Sequence, residues 1–442
     1  MTAGMLVPAP LLAHARLLRS EPAAGASLAE SPRSLRLVFS ERPVAELTRI
    51  WLTRANGDRF LLGVPQRDSA DQRALDFALA TPLAGGNWRV DWSTASRDGH
   101  VIKGSFNFTV EQSAPQAAAA EQPDSSPVGA VTEETPLPPA LSGAFGAFAT
   151  RWLAFLSLFA VIGVVAFRFG VLRRVGADED ADPFLHIAST NAASLGIAAA
   201  IALLVSALLR LFRESGDMPD VPLATMLLST LWGWTWLAQC FASLAAAAAF
   251  RAIHKTTGRS RHNAWKVALA AALVLSITPA LAGHAVSGDW SLIAVPADVI
   301  HVLAGSAWLG TLAVIVIVGI SAALKTPEER RPGERVASLI NVFSPLALVC
   351  GGTVLATGTV TSLINVSPLG ALWTTPYGVT LIVKLLFVAL LFGAGAWNWK
   401  RLKPRLTGDN ALVPLRSMAS LELVIAGVVL GITAVLVALE LP

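Results

Sequence analysis

Two hydrophobic periods divide this chain. Over residues 34–110 apolar and polar positions alternate, the pattern of strands with one buried face. Leu35, Leu37 and Phe39 share a face of one run, Trp88, Val90 and Trp92 a face of another, and Phe106, Phe108 and Val110 a face of a third. Asn56-Gly57 reads as a hairpin turn, with Gly85-Gly86 and Asp98-Gly99 as further turns. Short strands at this spacing predict an all-β sandwich over 14–111.

Beyond residue 145 the alternation gives way to long apolar runs, near 147–172, 190–212, 223–250, 265–283, 296–320, 336–364, 376–399 and 417–440. Each is long enough, at roughly 20 residues, to cross about 30 Å of hydrocarbon. They predict an all-α polytopic membrane bundle of about eight transmembrane helices over 145–442. Residues 112–144 are rich in Ala, Pro, Gln, Ser and Glu without an apolar period and read as a flexible linker, about 30 Å r.m.s. as a coil. Residues 1–13 resemble the remnant of a signal peptide, cleaved after Ala13 or after Ala15.

Composition agrees. Of 442 residues, 54% are hydrophobic and 14% charged, whereas a soluble chain carries roughly a quarter charged residues. The net charge of +4 is carried by basic residues between the apolar runs, so no nucleic-acid partner is expected. Cys240 and Cys350 are the only cysteines, which excludes a disulfide framework and a zinc spacing. With no phosphate-cradling Gly-rich loop and no Asp-Lys-Thr-Gly motif, the sequence offers no ATP-driven pump, and it reads as a non-enzyme.

The charges also orient the runs. Lys and Arg crowd four alternate connections, around Arg168–Arg174, Arg251–Lys266, Lys325–Arg335 and Lys400–Arg416, while 284–295 and 365–375 have none. By the positive-inside rule the β-domain and the C-terminus face outward from a bacterial plasma membrane. Trp152, Trp290 and Trp373 then mark the outer interface, and Trp265, Trp397 and Trp399 the inner one.

Seven histidines serve the chain. His186, His254 and His262 fall among cytoplasmic basic residues and read as solvated. His14, His100, His284 and His301 map to the outer side. Cleavage before His14 would give one residue both an α-amine and an imidazole, and Asp98-x-His100 adds oxygen and nitrogen, a tetragonal set that favours Cu(II).

His14 at the start, Ser20-x-Pro-Ala-x-Gly25, Phe39-Ser-Glu41 and Ser96-x-Asp98-x-His100 together resemble the periplasmic copper-binding CopC family over nearly all of 14–110. The resemblance implies a Greek-key sandwich that holds Cu(II) through His14, Asp98 and His100, with Glu41 nearby. TRANGDRFLLGVPQRD stands where some relatives carry a Met-rich Cu(I) loop, so a Cu(II)-only site is expected in this domain. Asp298-Val-Ile-His301, Trp308-Leu-Gly310 and Lys384 resemble, more loosely, the CopD family over 145–442. That order is the arrangement of CopC–CopD fusions such as the YcnJ-like copper uptake proteins.

Within the spans, Asp298, His301, Gly305 and Trp308 share one helical face. An ionisable residue at that depth marks either a pathway or a hydrogen-bonded interfacial group. His284 ends the fourth run on the same side, and Met226 lies just inside the third. Imidazole with thioether would suit Cu(I), while ordinary packing also accounts for Met226. Lys384, eight residues into the seventh run, either snorkels outward or pairs with Asp298. Thr353, Thr357 and Thr361 form a stripe read as close packing.

The reading is copper capture outside the membrane and transfer to or through the bundle. Copper ions and the lipid bilayer are the expected partners, and other periplasmic copper proteins are candidates. The alternatives are a copper delivery or assembly factor that transports nothing, and a haem-type redox membrane protein.

Overall fold

The computed structural model describes residues 17–40, 42–95, 101–111, 141–176, 181–286, 290–326, 332–366, 368–401 and 412–439. The signal-like residues 1–13, His14, Glu41, the Asp98-Gly99 turn, His100 and linker residues 112–140 lie outside them. The chain forms two compact units, one of Met1–Leu141 with Arg213–Gly233, the other of Ser142–Phe212 with Trp234–Pro442.

The first unit contains nine described strands: β1 (Leu17–Glu21), β2 (Ser27–Leu28), β3 (Ser34–Phe39), β4 (Arg49–Arg54), β5 (Arg59–Leu61), β6 (Gln66–Arg67), β7 (Ala74–Ala78), β8 (Gly86–Ala95) and β9 (Val101–Val110). They build two sheets, ordered β1-β3-β7-β6 and β2-β9-β8-β4-β5. The alternation read from sequence puts its apolar face inward. Leu35, Leu37, Phe39, Trp88, Val90, Trp92, Phe106, Phe108 and Val110 are all buried in one core with Ile50, Leu52, Leu75 and Phe77. Gly57 turns β4 into β5 at φ +93°, a left-handed conformation that favours glycine. Gly104 of β9 makes room for the ring of Trp92, since a Cβ there would lie 2.4 Å from it.

Among the described residues eight helices are long and apolar enough to cross a membrane: Gly143–Val175, Pro183–Asp217, Leu231–Lys255, Gly258–Leu281, Ser291–Lys325, Pro332–Asn365, Pro376–Lys400 and Arg416–Leu436. The first and fifth meet glycine to glycine. A Cβ on Gly163 would stand 2.3 Å from the backbone of Gly310, and one on Gly310 would stand 2.2 Å from the Phe159 carbonyl. Bare backbone at both positions permits this approach. The fifth helix carries two π-helical segments, Ser306–Gly310 and Ile315–Gly319, a local geometry frequent at functional sites.

Three readings are corrected. Met226 is not inside the third span: it lies in a separate short helix, Leu223–Leu228, within the first unit. The chain breaks at Ser229-Thr230, where the Thr230 hydroxyl donates to the Met226 carbonyl at 2.7 Å and accepts the Gly233 N–H at 2.9 Å, starting a new helix. Trp265 is not on an interfacial belt but fully buried, edge-on to Phe250 at 5.9 Å with the Arg168 guanidinium over its ring. Arg261, counted in the basic connection after the third run, belongs to the helix Gly258–Leu281. It is buried in the fourth helix and donates to Ser189 and Thr190, with its other terminal nitrogen 3.1 Å from His186 Nδ1. Hydroxyls and an imidazole replace the water that a buried guanidinium has lost.

Candidate metal site

Strand pairing gathers the ends that carry the sequence-predicted ligands. Leu17, three residues after His14, pairs with Phe39, two residues before Glu41. Beyond Glu41, the Val44 N–H donates to the Ala95 carbonyl at 2.8 Å. Ala95 in turn pairs with Val101, so residues 96–100, with Asp98 and His100, connect these paired strand ends. Thr48 and Thr94, both buried, tie the same end together through a 2.7 Å hydroxyl contact. A chain of three residues reaches about 10 Å at most, so His14 stays within that distance of Leu17, and Asp98 of Ala95. All four predicted ligands of the β-domain thus hang from anchors at one end of the sandwich, although His14, Glu41, Asp98 and His100 lie outside the described residues.

The same end borders a cavity within the first unit. It is an open cleft of about 290 Å³ lined by Arg42, Val44, Leu47, Met218, Met226 and their neighbours. Both methionines are buried. The structure therefore puts Met226 beside the loop that follows Glu41, and Met218, from the preceding connection, with it.

In the second unit, the fifth helix presents Asp298 and His301 one turn apart, both partly buried. The imidazole packs on the sixth helix, where a Cβ on Gly358 would meet its Cε1 at 3.3 Å. Thr357 Oγ1 lies 3.0 Å from His301 Nδ1 and itself donates to the Thr353 carbonyl at 2.7 Å. Thr357 Oγ1 also lies 3.3 Å from the Val354 carbonyl, and the imidazole itself has a hydrogen bond to the Val354 backbone. The sixth helix thus orients the ring through a hydroxyl and a backbone group, as outer hydrogen-bond partners orient metal-binding histidines.

Lys384 of the seventh helix acts electrostatically on both Asp298 and His301. No ion pair within 4.0 Å joins it to Asp298 among the described residues, and the two interact at longer range. Tyr377, the single tyrosine of the chain, bonds Asn365 and feels the charge of Asp298. Trp308 is buried in the first π-helical segment, its ring 4.8 Å from that of Phe392. His284 begins a short 3-10 turn, His284–Val286, and only its backbone is described. Among the described residues no three His, Cys, Asp or Glu side chains gather around one centre.

Sequence reasoning overlooked two groups. Thr357 was placed in a packing stripe, although its spacing from Gly358 opposite a histidine carried the signal. Glu422 and Asn398, which face each other between the eighth and seventh helices, went unremarked, although Glu422 is an acid inside an apolar run.

Residues 17–111 match the CopC domain family, residues 142–292 the copper resistance protein D-like N-terminal domain, and residues 337–436 copper resistance protein D. Among curated relatives, the copper transport protein CutJ of Bacillus subtilis (strain 168) is 25% identical over 393 residues, covering 88% of this chain and 68% of that protein. Protein YobA of Escherichia coli (strain K12) is 32% identical over 111 residues, 25% of this chain and 89% of its own length. Copper resistance protein C of Pseudomonas syringae pv. tomato is 33% identical over 114 residues, 25% of this chain and 90% of its own.

Proposed function

Because the chain belongs to the copper resistance family, with a CopC domain and copper resistance protein D helices in one polypeptide, we propose that it captures Cu(II) outside the membrane and passes copper to or through its helices. The observation that carries this reading is the convergence of strand ends at Leu17, Phe39, Val44 and Ala95, from which His14, Glu41, Asp98 and His100 extend. An amine, two imidazoles and a carboxylate make a tetragonal N,O site suited to Cu(II).

His301 is the entry point of the membrane half, with Asp298 supplying the compensating charge and Lys384 limiting leakage of other cations. Its position one turn from Asp298, with the ring oriented by Thr357 and the Val354 backbone, supports that role. The buried Met218 and Met226 place two thioethers close to the capture end, ligands that suit Cu(I) and not the captured Cu(II). Covalent linkage makes the handover intramolecular, at an effective concentration in the millimolar range. We assign the chain no catalytic step, and we read its first unit as facing outward on the loop charges.

The test uses mature protein purified from membranes. His14→Ala and His100→Ala are each expected to lower Cu(II) affinity at least tenfold, and unchanged affinity removes the capture site. In proteoliposomes, His301→Ala is expected to abolish copper uptake while leaving Cu(II) binding intact. Binding without flux in the native protein assigns delivery rather than transport.

A further inference from the structure

Glu422 is an acid enclosed by the helices of the second unit, 6% exposed and six residues into the eighth span. Among the described residues its hydrogen-bond partner is Asn398 of the seventh span, whose Nδ2 donates to Oε1. The second carboxyl oxygen, Oε2, lies beside Gly395, 3.9 Å from where a Cβ would stand. Asn398 Oδ1 is buried and has no hydrogen-bond partner.

These facts have one economical resolution. An amide offers a donor and an acceptor side by side, while an ionised carboxylate offers only acceptors. With Glu422 ionised, Asn398 Oδ1 stays a buried acceptor without a donor, and a charge sits in an apolar interior with a single neutral partner. Both cost free energy. With Glu422 protonated, its O–H supplies the missing donor. Nδ2–H still bonds Oε1, Oε2–H bonds Oδ1, and the pair closes on itself.

Among the described residues no charge supplies an alternative. The eighth span packs on the first, fifth and seventh spans, and no charged group of those helices acts electrostatically on Glu422 among the described residues. Lys400, two residues after Asn398, and Arg416, six residues before Glu422, are both exposed. Glu422 lies about 9 Å along the helix from Arg416 at 1.5 Å per residue, so the aqueous side is near.

We propose that Glu422 and Asn398 form a proton-binding site in the membrane half, in which Glu422 holds a proton at neutral pH and exchanges it with the side marked by Lys400 and Arg416. Resting on the copper-transfer reading above, this site would tie copper passage to proton movement. Proton binding and release break and form only the Oε2–H bond, with water as the other partner, so no further reactant is required.

The test separates the site from the transport reading. Infrared spectra of the full-length protein in lipid vesicles at neutral pH are expected to contain the carbonyl band of a protonated carboxylic acid, absent from Glu422→Gln and displaced in Asn398→Leu. Glu422→Gln keeps the shape and one donor, and Asn398→Leu leaves the acid in place, so the two variants check each other's folding. Identical bands in native protein and Glu422→Gln overturn the site, whatever copper does. In vesicles loaded with a pH-sensitive dye, native protein is expected to change internal pH upon copper addition, and Glu422→Gln to lose that change while its Cu(II) affinity is unaltered. Copper uptake with no pH change in native protein overturns the coupling even if the infrared band is present. Absence of copper uptake altogether counts against the transport reading and leaves the infrared result to decide the site.

Discussion

Arg36 leaves β3 between two carboxylates, bonded to Asp68 and 3.0 Å from Asp76. That bond, and the Ala70 N–H after it, hold the Asp68 carboxyl below the usual carboxylate range. The sign of the consequence is fixed. A group whose pKa falls on folding stabilises the fold above its unfolded pKa and loses that contribution as pH drops through the folded value. Acidification from neutral pH should therefore lower the unfolding midpoint of the β-domain. Asp68→Asn should start lower and decline less steeply, as read by circular dichroism in the strand region. Parallel acid limbs for the two proteins would deny the pair that role. Neighbours act likewise on His301, whose ring is oriented by the Thr357 hydroxyl and the Val354 backbone.

Among elements, the contact between the first and fifth spans is the most constrained. Gly163 and Gly310 face each other with no room for a Cβ, and the obstacle is backbone, which cannot rotate aside. The π-helical segment Ser306–Gly310 ends on this contact and holds the buried Trp308. Gly163→Leu should force the helices apart, at a cost beyond the about 1–3 kcal/mol typical of overpacking. A detergent-stability assay by size exclusion should show loss of the monodisperse protein, with Gly163→Ala intermediate. Retained stability in Gly163→Leu would mean that the helices do not meet there. The short helix Leu223–Leu228 illustrates the opposite case, an apolar stretch cut off from the span it adjoins by a single threonine cap.

In the whole molecule, two units with separate cores should unfold in separate transitions. Cu(II) bound only by the first should raise only the first transition, by about 2.7 kcal/mol at a hundredfold excess over Kd. Calorimetry with and without a chelator checks this, and a shift of both transitions would contradict separate capture. The fold was largely legible beforehand. Period-two runs such as Trp88-x-Val-x-Trp92 bury their apolar face whatever their neighbours, and eight apolar runs became eight helices because backbone in hydrocarbon must bond itself.

The site was legible only in part. Composition and local period state which face of an element shuns water, and they identified Asp298, His301 and Trp308 as one face of the fifth helix. They do not state what lies opposite. Only tertiary structure set Thr357 against His301, Asn398 against Glu422 and Gly163 against Gly310, moved Met226 out of its span, and drew Trp265 and Arg261 inward. The physical reason is range. Hydrophobic periodicity is a property of neighbours along the chain, whereas the setting of an imidazole, a buried acid and a backbone contact depends on atoms brought together from residues 24 to 147 positions apart.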